Sequence, residues 1–328
     1  GMKPLQYYWY QPNFLVWLLL PLSWLFCFIA TVRRKLYQLN LKKSYGSQLP
    51  LVVVGNIVAG GSGKTPLLIS LCEYIKNQGF KPAVVSRGYG GSFTGVKQVS
   101  AGDTADVVGD EPLMVFQRTA VPVVVGADRV AAVNYLLANN DCDIVFSDDG
   151  LQHYRMKRDV EIAVVDANRS FGNGFCLPAG PLREPVSRLN NVDIVVYNGL
   201  TSVTAEQCFY QLQFSGLAKL DGSEDRLLSS FSNKTVHAVA GIGHPARFFE
   251  QLADNGLELI EHAFPDHHVY RQHDFSGWEN ACIIMTEKDA VKCRHLLLGD
   301  AWVVTVNAVF SDTLEKQLSS VLLPLLKR

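Results

Sequence analysis

Residues 51–54 read Leu-Val-Val-Val, and they run straight into a glycine-rich turn that closes on Gly60-Gly61-Ser62-Gly63-Lys64-Thr65. After it, residues 65–77 have the pattern of a helix. This order of apolar strand, glycine turn and helix builds a phosphate-binding loop. Glycine lets consecutive backbone N–H groups face an anion, and the helix start adds the positive end of its dipole. In such a loop Gly60, Gly61, Ser62 and Gly63 cradle the phosphates of a nucleotide, Lys64 reaches the β- and γ-phosphates, and the Thr65 hydroxyl ligates Mg²⁺. ATP and Mg²⁺ are therefore the expected cofactors. The usual pattern has one more glycine, at the place of Val58, and Gly60-Gly61 compensates in part. Membrane-bound partitioning ATPases resemble this region but carry a lysine just before Gly-Gly, where this chain has Ala59.

The loop requires a parallel sheet beneath it. Further strands are predicted over 82–86, 121–125, 143–147, 162–166 and 193–196, with a helix over 128–138. Strands alternating with helices imply an α/β fold, a P-loop NTPase-like parallel sheet covered by helices on both faces. Residues 199–230 lack a clear period and read as a connection. A second alternation follows, with strands over 235–240, 257–261, 281–286 and 302–306 and helices over 245–255, 287–296 and 312–326. The expected organisation is a membrane-associated segment at 1–48, a P-loop kinase core at 49–198, a connecting segment at 199–230 and a smaller α/β domain at 231–328.

The amino-terminal segment is set apart by charge. Residues 14–32 carry no charged side chain, and Arg33-Arg34-Lys35 follow at once; residues 1–48 hold six basic residues and no acidic one, the first acid being Glu73. An apolar run of this length is borderline for spanning a bilayer. Pro21 in mid-run and the basic cluster behind it favour a broken helix that lies in or dips into one leaflet, with Tyr7, Tyr8, Trp9, Tyr10, Trp17 and Trp24 at headgroup depth. A spanning helix is the alternative. A net charge of −1 leaves no electrostatic footprint for nucleic acid. Seven cysteines without a Cys-x-x-Cys pair suit a reducing compartment. Gly1 ahead of Met2 reads as the scar of a cleaved tag and is set aside.

Three acidic points could carry chemistry. Asp148-Asp149 close the strand predicted at 143–147, and carboxylates at a strand's end beside a phosphate loop are suited to Mg²⁺ and its waters. Gly109-Asp110-Glu111-Pro112 reads equally well as a catalytic point and as a helix start with proline in its first turn. Asp266-His267-His268 could ligate a metal, act as an acid/base, or form a polar loop, and no second cluster supports zinc.

Together these motifs resemble the tetraacyldisaccharide 4′-kinase (lipid A 4′-kinase) family. The resemblance rests on 58–66, Ser86-Arg87-Gly88-Tyr89-Gly90-Gly91, 109–112, Ser147-Asp148-Asp149-Gly150-Leu151-Gln152-His153, 177–185, 264–270 and Thr286-Glu287-Lys288-Asp289-Ala290-Val291-Lys292, in family order. It implies ATP-dependent phosphorylation of the 4′-hydroxyl of a tetraacylated glucosamine disaccharide 1-phosphate. It also implies a peripheral enzyme at the cytoplasmic face of the bacterial inner membrane, and a monomer is expected. By the same likeness Asp110 is the general base and His267 its partner. Asp148, Asp149 and Glu184 join Thr65 around Mg²⁺ with His153 nearby, Arg183 contacts phosphate, and Arg87, Tyr89 and Arg129 meet the lipid head group. A P-loop kinase for another membrane-bound sugar or isoprenoid acceptor is one alternative; a membrane-bound ATPase switch is the other.

Overall fold

The structure, a computed structural model, describes residues 5–11, 14–199 and 206–327. Strand β1 (Leu51–Gly55) is buried along its whole length, as expected of a strand covered on both faces. Parallel to it lie β2 (Pro82–Ser86), β4 (Val123–Gly126), β5 (Ile144–Asp148), β6 (Val160–Asp166) and β7 (Ile194–Asn198), while short β3 (Val96–Gln98) runs antiparallel at the edge. The chain continues through β8 (Phe209–Lys219), β9 (Asp225–Arg226), β10 (Thr235–Ala240), β11 (Glu258–Ala263), β12 (Cys282–Thr286) and β13 (Asp300–Phe310). All of them belong to one sheet, in the order β11-β10-β12-β13-β8-β7-β6-β1-β5-β2-β4-β3, with β9 on β8.

The two α/β halves are thus joined inside the sheet. Long antiparallel β8 and β13 form the seam, and β8 meets β7 only through Tyr197–Phe209 and Asn198–Tyr210. The stretch 199–230 accordingly contains a central strand. Its alternation of Tyr210, Leu212 and Phe214 is interrupted near Gly216, opposite the register shift at Thr305/Val306. The helix Asp312–Leu326, expected with the second half, returns to the first. Its stripe Leu314, Leu318 and Leu322 is fully buried in the core beside Leu67, Leu71 and Ile75 of the helix Lys64–Asn77. The Tyr74 and Ser319 hydroxyls meet across that contact at 2.7 Å.

The amino-terminal run corrects one expectation. It forms a single helix, Phe14–Gln38, that continues through Pro21. A proline there removes the N–H that the Trp17 carbonyl would accept and sets its ring against that carbonyl, yet the flanking turns keep the helical path. Val16, Leu20 and Ser23, spaced on one face, are buried. The Ser23 hydroxyl accepts the Ala179 N–H at 2.8 Å, and Val16 and Leu20 pack on Ala179. The opposite face bares Phe14, Trp17, Leu25 and Phe28. Among the described residues this is the one helix long and apolar enough to cross a membrane, with a mean hydropathy of 2.3.

Candidate active site

The phosphate loop leaves the carboxyl end of β1, at the centre of the sheet, where open α/β folds place their ligands. Gly63 caps the helix Lys64–Asn77 with φ 74°, and a Cβ there would stand 2.2 Å from Asn198 Nδ2. Both the left-handed backbone and the close approach require glycine. The approach is functional packing, since Asn198 Nδ2 donates to the Ser62 carbonyl (3.1 Å) and the Tyr210 hydroxyl to the Gly63 carbonyl (2.8 Å). On the other flank Asn56 donates to the Gly60 carbonyl (3.3 Å) and its Oδ1 accepts from Lys64 Nζ (3.3 Å). The loop is held from both sides.

Asp148 and Asp149 end β5 beside it. Asp148 is buried; it accepts from the Ser86 hydroxyl at 3.3 Å, and its Oδ1 has no hydrogen-bond partner. Burial, reinforced by Glu111, pushes its carboxyl up to about 7. Asp149, at φ 49°, turns the other way. Burial acts to raise its carboxyl too, but Lys64 at 3.6 Å and Arg183 at 3.0 Å outweigh that and hold it at about 2. His153 is pushed down to about 4 by burial and by Arg129, so it is neutral at physiological pH. An unpartnered carboxylate oxygen and the Thr65 hydroxyl suit a hard divalent cation such as Mg²⁺. Among the described residues no group of three or more His, Cys, Asp or Glu side chains converges as a metal site. A cation here would therefore rely on substrate phosphate and water for its remaining ligands.

Across the cavity, Asp110 opens the helix Asp110–Thr119 and is buried. Gly109 before it has φ 93°, and a Cβ there would fall 2.7 Å from the Tyr89 carbonyl. The Arg87–Gly91 turn can therefore lie flat against the start of this helix. Asp110 Oδ2 is 3.1 Å from His267 Nδ1, and the His267 ring packs edge-on against Tyr89 at 5.1 Å. His267 is held at φ 60°, a backbone state that non-glycine residues adopt where surrounding structure imposes it. The two expected partners, 157 positions apart, are thus brought together.

Two further expected site residues, Glu184 and Arg129, line the same cavity with polar atoms already engaged by protein groups. Glu184 is buried, but its oxygens are engaged by the Tyr154 hydroxyl and by Gln152 Nε2 (3.0 Å), with Arg188 at 3.6 Å. Gln152 also donates to the Asn56 carbonyl at 3.1 Å, so Glu184 supports the loop's entry strand. Arg129 is buried, and its guanidinium donates to the backbone carbonyls of Gly126 (2.8 Å) and Asp148 (3.1 Å), a supporting role under the β5 end. Arg87 and the exposed Tyr89 line the open cavity. The cavity, about 1590 Å³, also takes in Lys64, Asp148, His267 and, at its mouth, Trp9 and Ile29 of the amino-terminal segment. Sequence reasoning assigned no role to Lys288, which the structure places against Glu111 and Asp266 at 3.1 Å each. The quoted segment 286–292 contained it, without a role.

A profile of the tetraacyldisaccharide-1-P 4′-kinase family matches residues 15–323. The tetraacyldisaccharide 4′-kinase of Hahella chejuensis is 46% identical over 308 residues, covering 92% of this chain and 90% of that protein. The tetraacyldisaccharide 4′-kinase of Shewanella oneidensis is 47% identical over 314 residues, covering 95% and 93%. The fold superposes with a TM-score of 0.81 and 27% identity on an Aquifex aeolicus LpxK in complex with ATP, covering 95% of this chain and 99% of that one.

Proposed function

The chain belongs to the tetraacyldisaccharide-1-P 4′-kinase family, and from that premise we propose how its cavity carries out the family's reaction. The enzyme transfers a phosphoryl group from ATP to the 4′-hydroxyl of a tetraacylated glucosamine disaccharide 1-phosphate, a step in building lipid A. One observation carries the mechanism: the Lys64 loop and His267, whose Nδ1 lies 3.1 Å from the buried Asp110, line the same cavity.

The backbone of 60–63 and Lys64 bind the nucleotide's phosphates. Arg183 and Lys64, which now share Asp149, are the two cations a γ-phosphate would draw on. Asp110 accepts the hydroxyl proton. A sugar hydroxyl is so weak an acid that this proton moves late, and the carboxylate first serves to orient the oxygen. His267 aligns Asp110 for that task. Thr65 and Asp148 would hold Mg²⁺, which when bound neutralises charge on the transferring phosphoryl group. Most of the rate then comes from alignment and charge neutralisation. Arg87 and Tyr89 receive the acceptor's head group.

Because the acceptor's acyl chains stay in the bilayer, the cleft must come to the surface. We read the helix Phe14–Gln38 as the element that brings it there, on the cytoplasmic face, with the enzyme acting as a monomer. Its bare apolar face and the arginines and lysines at its end support this reading. We also keep the division into a core at 49–198 and a second unit at 231–328, joined across β8 and β13. The test is a transfer assay with labelled ATP, Mg²⁺ and detergent-dispersed tetraacyl disaccharide 1-phosphate, with Lys64→Ala as control. Label entering the lipid, and lost with Lys64→Ala, is the expected result. ATP binding without labelled lipid would sink the acceptor assignment.

A further inference from the structure

The proposed base and its histidine come from different halves of the molecule: Asp110 from the helix Asp110–Thr119, His267 from the loop after β11. Something must fix their separation. Lys288 sits in the first turn of the helix Glu287–Cys293, where a cation opposes the helix dipole. Its position is explained by what it touches. Its ammonium donates to Glu111 Oε1 and to Asp266 Oδ1, at 3.1 Å each, and lies 3.9 Å from Asp110 Oδ2. These carboxylates outweigh the effect of burial and raise its pKa, so it stays charged.

The groups facing Asp110 from neighbouring elements can be enumerated. His267 and, next to it, Asp266 come from the loop; Lys288 and Lys292, the latter at 4.0 Å, come from the helix; Glu111 follows in the chain. Without Lys288, three carboxylates would crowd one corner against Lys292, which is also paired with Asp289 at 3.2 Å. The neighbouring residue adds a second grip. Glu287 pairs with Arg118, at the far end of the same helix that Asp110 begins. Consecutive residues thus hold both ends of the base-bearing helix.

We propose that Lys288 is a positioning residue for phosphoryl transfer: it ties the start of the helix Asp110–Thr119 to the His267 loop and keeps Asp110 in register with His267. The proposal rests on Asp110 being the base, and the experiment separates the two. Lys288→Met, Lys288→Arg and Asp110→Asn are assayed in the full-length protein for kcat and for KM toward ATP and toward lipid.

For Lys288→Met the expected result is a kcat lower by about ten- to a hundredfold, with KM for ATP within about threefold. Lys288→Arg should recover most of the lost rate. If Lys288→Met fails to bind ATP, Lys288→Gln, which keeps a polar stem, is read by the same criteria. A raised KM for ATP with kcat intact, or no recovery in Lys288→Arg, would overturn the proposal while Asp110→Asn remains inactive. Turnover persisting in Asp110→Asn would instead remove the base assignment on which it stands.

Discussion

Asp148 and Asp149 are adjacent in sequence and opposite in electrostatics, because burial and Glu111 dominate at the first while Lys64 and Arg183 dominate at the second. Their neighbour His153 offers a measurable consequence. Its imidazole is kept neutral, with a folded value of about 4 against an ordinary 6.5. As pH falls from 6.5, the unfolded chain takes up a proton that the folded chain refuses, so stability is lost on acidification and the loss levels off near the folded value. The urea midpoint of wild type should therefore fall relative to His153→Gln between neutral pH and about 5. The gap should grow by at most about 2 kcal/mol; a constant gap would show that His153 titrates normally. At this scale the sequence was most informative where chemistry is local. The phosphate loop and the aspartate pair are contiguous and could be read directly. The Asp110–His267 pairing came from resemblance, since nothing in spacing joins residues so far apart. Lys288 escaped for the same reason: its partner Glu111 lies 177 positions away. Glu184 and Arg129 were placed at the site by likeness, yet their hydrogen bonds go to neighbouring protein groups, which only coordinates reveal.

Among the elements, the helix Phe14–Gln38 divides its labour by face. Val16, Leu20 and Ser23 dock on the segment around Ala179, a few residues before Arg183. Trp17, Leu25 and Phe28 are between 54% and 67% exposed and contribute little to the protein's own core. Each such side chain gains about 1.5–3 kcal/mol on leaving water. Replacing all three with Asn should weaken co-sedimentation with vesicles at least about a hundredfold. ATP affinity should stay unchanged, because the docked face is untouched. Undiminished sedimentation would mean that the membrane is met elsewhere. Strand β8 was the element hardest to foresee. Its period of two is clear at Tyr210, Leu212 and Phe214 and then slips by one beyond Gly216, where the partner strand shifts register. A bulge of that kind erases the alternation on which a strand is recognised.

For the molecule as a whole, the two halves share one sheet and a few ion pairs between facing elements. Arg118 pairs with the half-buried Glu287 at 2.5 Å and donates to Asn307 Oδ1 at 2.6 Å. Burial raises the Glu287 carboxyl and Arg118 opposes that rise. Arg118→Met would strand the carboxylate and should lower unfolding stability by about 3 kcal/mol. The Arg118→Met/Glu287→Gln double variant should regain part of it, and if the double is no better than the single, the pair does not bind the halves. The parallel core under the phosphate loop was legible from alternation, while the seam was not, because it depends on which strands meet rather than on where they lie in sequence. The final helix carries one more implication. Its leucines complete the core beneath the phosphate loop, although they follow that loop at a great distance along the chain. Synthesis passes through the apolar helix Phe14–Gln38 long before it reaches this closing helix. The growing chain therefore exposes an apolar helical face well before it can close the core that carries its nucleotide site.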